Sequence, residues 1–117
     1  MFHTVFTGHL TDDARFNTFE DKGVINFTIA VNFPTGKKDE QGNYIEEAQF
    51  FQCSRWLRDS KTPKVLDYLK KGKKVIVEAN KIAVKTTEVE GKIYNNLVVN
   101  VERLELGYEV QPKKESE

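Results

Sequence analysis

The sequence predicts an all-β domain with one short helix, arranged as a five-stranded Greek-key barrel. Three observations predict it: apolar residues alternate with a period of two over several stretches, helix signals occur once, and that helix falls between the third and fourth strands. The 117 residues are enough for one core and too few for two. Charged residues make up 31% and hydrophobic residues 38%, which argues against a membrane-spanning helix and against wholesale disorder. Residues 1–108 are expected to form the barrel. Residues 109–117 read as a disordered polar tail, since Gln111 to Glu117 includes no apolar side chain.

Residues 2–10 form a first, loosely alternating strand in which Gly8 permits a kink, and 11–22 read as a polar turn or loop. The cleanest alternation is at 23–33, where Ile25, Phe27, Ile29, Val31 and Phe33 share one parity and should face the core. Pro34 to Asn43 is turn-rich and charged, as expected of an exposed hairpin loop. The next strand, about 45–57, sets Phe51 and Cys53 on one parity and Phe50, Gln52, Ser54 and Trp56 on the other. Gln52 and Ser54 mark that second face as the wet one, so two large aromatics stand on a polar surface, spaced about 20 Å apart at ~3.3 Å per residue. The alternative for Trp56 is that it ends the strand and packs under a loop.

Thr62 can cap a helix, Pro63 suits its first position, and Val65, Leu66, Tyr68 and Leu69 recur at helical spacing. Gly72 should close it, with Lys70 and Lys71 in the last turn. In 73–86 the apolar parity runs Val75, Val77, Ala79 and then flips to Ile82 and Val84, which predicts a bulge between Ala79 and Lys81. The bulge would bring Lys81 and Lys85 together on an outer face. Glu88 to Lys92 turns into a last strand from Ile93 to Leu106, and the order of elements is that of a barrel of the OB type.

Catalysis finds no support. His3 and His9 lie six residues apart on one strand, too far to ligate one metal. Asp12 and Asp13 are adjacent turn residues that suit capping, and Cys53 belongs on the core face with no neighbouring His to activate it. No phosphate-binding glycine loop or zinc-protease motif occurs, so no enzyme, cofactor or metal is expected. One cysteine makes no internal disulfide, and the start has no basic region followed by an apolar run, which together place the protein in the cytoplasm.

Net charge is zero, yet its distribution is uneven. From Arg55 to Lys85 there are ten Lys/Arg against three acids, a local surplus of seven. Such a stripe suits a polyanion, because local potential steers phosphates; on charge alone a solvated lysine surface is the alternative. Interleaving it with aromatics gives the recipe for single-stranded nucleic acid, in which cations follow phosphates and rings stack on unpaired bases.

These residues also resemble the bacterial-type single-stranded DNA-binding proteins. The likeness runs from residue 2 to 106 and is carried by Gly8-His9-Leu10-Thr11-Asp12-Asp13, Asn26 to Asn32, the Phe50 to Leu57 strand and Tyr68 to Glu78. It implies an OB barrel that assembles into a homotetramer and binds single-stranded DNA during replication, recombination and repair, without sequence preference. It also implies stacking roles for Phe50 and Trp56, backbone contacts for Arg58 and Lys71, a basic hairpin at Lys37 and Lys38, and a basic outer strand at Lys81 and Lys85. Lys73 joins the same basic stripe. Where many members carry a further aromatic, this chain has Thr86-Thr87, leaving Tyr94 as the nearby substitute and predicting a weaker or shorter footprint. Ala14 and Ala79 also replace a proline and a glycine common in the family. The final residues, Lys113 to Glu117, lack the acidic tip with a hydrophobic dipeptide that recruits partner enzymes in the family, so either a tailless member or a shortened chain is expected. Two alternatives share the architecture: a primosome-type adaptor that binds the strand weakly, and an oligosaccharide-binding or structural OB domain that needs no lysines.

Overall fold

The structure, a computed structural model, describes residues 1–107; the tail expected at 109–117 lies outside them. Six strands, β1 (Thr4–Leu10), β2 (Arg15–Phe19), β3 (Lys22–Lys38), β4 (Tyr44–Leu57), β5 (Lys74–Val89) and β6 (Lys92–Leu106), form one sheet ordered β1-β5-β6-β4-β3-β2. A further pairing of β1 with β3 closes five of them into a ring, the expected barrel, and leaves β2 as a flap that, among the described residues, pairs with β3 alone. The pairing of β4 with β6 is parallel and short, Phe51 to Ser54 against Leu97 to Asn100. Among the described residues no helix is long and apolar enough to cross a membrane.

Inward parity builds the core. Ile25, Phe27 and Ile29 of β3, Cys53 of β4, Val75, Val77 and Ala79 of β5, and Val99 and Val101 of β6 are all buried, and Leu10 and Leu69 join the same cluster. Each fully buried Val or Ile contributes about 1.5–3 kcal/mol of transfer free energy. Gly8 admits β1 into this packing, because a Cβ there would collide with Ile29 Cγ2 and lie 2.7 Å from the Ala30 carbonyl oxygen. Phe6 and Phe51 close one side, their ring centroids 5.0 Å apart.

The bulge expected in the fifth strand is present. Ala79 opposes Val101 and Lys81 opposes Asn100, so Asn80 has no partner in the ladder, and its Oδ1 accepts a hydrogen bond from Asn100 Nδ2 at 2.7 Å. The extra residue moves Ile82 to the core side and turns Lys81, Ala83 and Lys85 outward.

Three expectations are corrected. The 11–22 segment is not all loop: Arg15 to Phe19 pairs with Lys22 to Asn26, because Phe16 tucks against Gly23, where a Cβ would stand 2.6 Å from its ring. The helix shrinks to a 3₁₀ segment, Lys64–Tyr68, with Pro63 at its N-cap, no side-chain cap and no basic residue in its last turn. Its bonds are of the three-residue kind, Leu66 N–H to Pro63 O and Leu69 N–H to Leu66 O, and the chain beyond is claimed by β1 and its turn. Ala14 N–H donates to Leu69 O, Gly72 N–H to Leu10 O, and Leu10 N–H to Lys73 O. Finally, Phe33 does not reach the core. β3 runs past the barrel rim as one leg of a hairpin arm with β4, leaving Phe33 exposed and Val31 half-buried, and the strands continue so far that only 39–43 remain as the loop.

Candidate nucleic-acid interface

Residues opposed across a ladder share a face of the sheet, so the registers define the barrel's outer surface. On β4 the outward row is Phe50, Gln52, Ser54 and Trp56, opposed on β3 by Ala30, Thr28, Asn26 and Val24. On the other side Gln52 and Ser54 meet Val98 and Asn100 of β6, which in turn meet Ala83 and Lys81 of β5. Phe50 and Trp56 are 56% and 52% exposed, whereas Cys53, between them in sequence, is 2% exposed. Trp56 therefore stands in the open and not beneath a loop.

Two grooves cross this face. The larger, about 560 Å³, runs from Thr11, Asp12, Asp13 and Arg15 over Asn26, Thr28, Gln52 and Ser54 to Lys85 and Val98. The smaller, about 410 Å³, lies between Trp56, Lys81, Ala83 and Asn100. Ser54 and Val98 line both, so the two grooves meet in one trough. Its floor is neutral and polar, with Ser54 Oγ donating to Asn26 Oδ1 at 2.8 Å. Its cations, Lys81, Lys85 and Arg15, come from two strands at opposite sides of the face.

Of the residues singled out in the sequence, Trp56, Lys81 and Lys85 line this trough, and Phe50 shares its face. Tyr94 opposes Thr87 on the outward side of the β5–β6 arm, two residues along from Lys85, and is 49% exposed. Arg58 follows β4 directly and is exposed. Lys71 sits at the Asp13 rim, its backbone N–H donating to Asp13 Oδ1 at 2.8 Å. Lys73 is half-buried in the same turn. Lys37 and Lys38 stand on the β3–β4 arm away from the trough, with Lys38 Nζ 4.9 Å from the centre of the Tyr44 ring.

Of the residues weighed for catalysis, Asp12, Asp13 and Cys53 line the larger groove. Burial pushes the Cys53 thiol up to about 12, the opposite of what a nucleophile needs. Among the described residues no cluster of His, Cys, Asp or Glu could hold a metal.

The sequence matches the model of the single-strand binding protein family over residues 1–107. The chain belongs to that family. A single-stranded DNA-binding protein of Borreliella burgdorferi is 35% identical over 77 residues, which is 65% of this chain and 48% of that protein, so the chain spans about half the length of the curated relative it matches. Among solved structures, the small single-stranded DNA-binding protein from Streptomyces coelicolor superposes with a TM-score of 0.69 at 15% identity, over 90% of this chain and 93% of that one. A deletion mutant of the single-stranded DNA-binding protein from Thermus aquaticus gives 0.65 at 18% identity, over 92% of this chain and 51% of the other. At these identities the likeness is one of fold.

Sequence reasoning missed one cation of the trough, Arg15. Assigning 11–22 to a loop hid it, although Phe16 and the Glu20-Asp21 turn before Gly23 carry a weak hairpin signal.

Proposed function

We propose that this chain binds single-stranded DNA without sequence preference and without catalysing a reaction, in replication, recombination and repair. The observation that carries the reading is the joined trough on the outer sheet face, with exposed rings on β4 and cations at its edges. Phe50 and Trp56 stack on bases, each worth about 1–3 kcal/mol, and stacking accepts any base because every base has a π-face. Lys81 and Lys85 neutralise phosphates along the trough, and Tyr94 extends the aromatic row onto the β5–β6 arm. Arg58, Lys71 and Lys73 serve as outlying phosphate contacts, and Lys37 and Lys38 meet the strand from the β3–β4 arm. Family membership supports the same ligand. Duplex DNA offers no free base faces and should be a poor ligand. We further propose that the protein works in the cytoplasm as a homotetramer.

Fluorescence anisotropy of labelled dT and mixed-sequence oligonucleotides tests this reading at low and moderate salt, with a duplex of matched length alongside. The expected result is binding of both single strands, weakened by salt, and little binding of the duplex. Equal binding of duplex, or binding insensitive to salt, would contradict it. Sedimentation equilibrium decides the oligomer: a mass four times that of the chain is expected.

A further inference from the structure

The larger groove contains an arginine that the aromatic row does not explain. Arg15 lines it from β2, the strand outside the closed ring, and among the described residues no carboxylate pairs with its guanidinium although two acids line the same groove. Those acids are engaged elsewhere. Asp13 accepts from the Lys71 N–H at 2.8 Å and lies 4.0 Å from Lys70 Nζ, and Asp12 Oδ1 accepts from the Asp13 N–H at 2.8 Å.

The backbone on either side of Arg15 is fixed. Ala14 N–H donates to Leu69 O at 2.9 Å, Phe16 packs against Gly23, and Arg15 itself is in register with Asn26. A planar cation with five donors is thus carried on paired backbone at the side of the groove, exposed to solvent, with Lys85 lining the same groove. Its planar fork can give two N–H bonds to one phosphate.

We propose that Arg15 is a phosphodiester anchor, gripping one phosphate of the strand at the β2 side of the larger groove, in the cross-strand row of Asn26 and Ser54 beside that of Trp56. The proposal rests on the single-strand reading above and extends it, because it carries the bound strand beyond the five-stranded ring onto β2.

The test is the salt dependence of dT oligonucleotide binding for wild type, Arg15→Ala, Arg15→Lys and Arg103→Ala. Arg103 lies outside the trough and is paired with Glu105 at 2.8 Å, so it serves as the control. Each phosphate neutralised on a single strand adds about 0.7 to the slope of log K against log salt. Arg15→Ala should lower the slope by about 0.7, weaken binding several-fold at low salt and leave the Trp56 quenching at saturation unchanged. Arg15→Lys should restore the slope, and Arg103→Ala should leave it alone. An unchanged slope in Arg15→Ala, with wild type binding normally, overturns the anchor and leaves the single-strand reading standing. Failure of wild type to bind overturns both.

Discussion

The two faces of β4 have the same backbone, the same ladders and alternating residues, yet they do different work. Inward, Phe51 meets Phe6 and Cys53 lies at 2% exposure among β-branched side chains. Outward, Phe50 and Trp56 leave more than half their surface to solvent, over a floor of Gln52 and Ser54. Burial of the first row releases apolar surface from water and stabilises the fold; exposure of the second leaves that release to be made when a ligand arrives. Rings this exposed add little to folding, and the proposed function assigns them to the ligand.

The comparison is broken most easily from the inside. Ile29→Ala, at 0% exposure opposite Phe51, should cost about 2–5 kcal/mol of stability in urea unfolding while the folded fraction binds dT normally. A loss of binding beyond the loss of folded protein would mean that the inward row serves the ligand as well. The outward row should give the mirror image. Phe50→Ala and Trp56→Ala should each weaken dT binding by about 1–3 kcal/mol and change stability by less than about 0.5 kcal/mol. A large drop in melting temperature for either variant would move that ring into the core.

Smaller effects sharpen the picture. Lys81→Ala and Lys85→Ala should each lower the salt slope of binding by about 0.7 while leaving the Trp56 signal intact, read by titration at several salt concentrations. The smallest effect is at Cys53. With its thiol raised by burial from 9.0 to about 12, the folded chain keeps a proton that the unfolded chain releases between those values. Stability from this group is complete below pH 9 and declines as pH rises from 9 to 12. Stability measured against pH should therefore fall less steeply in Cys53→Ala than in wild type above pH 9, with no difference in pH dependence from 6 to 8.

Legibility in the sequence followed the number of faces each segment commits. β3 and β4 were readable because one parity is apolar over several residues, and the bulge was readable because that parity flips between Ala79 and Ile82. Reading parity alone also overran, placing Phe33 in the core, since alternation continues along β3 after the barrel beneath it has ended. The helix was overdrawn for a related reason: Val65, Leu66, Tyr68 and Leu69 fit a period of 3.6, but the backbone bonds run Leu66 to Pro63 and Leu69 to Leu66, a period of three, and Tyr68 stays exposed. Over so few residues the two periods are indistinguishable. β2 escaped notice because Phe16 alone anchors it, and with β2 went Arg15. The trough was half visible: its rings and lysines could be placed from parity, whereas the polar floor is assembled by registers among β3, β4 and β6 that no local pattern encodes.

The most direct test of the division between the two faces uses the single tryptophan. Titration of the protein with oligo-dT, followed by Trp56 fluorescence at low salt and set against a duplex of equal length, should show strong quenching by the single strand alone. Unchanged fluorescence under conditions where anisotropy reports binding would contradict the account, since the strand would then be passing over some surface other than the outward row of β4.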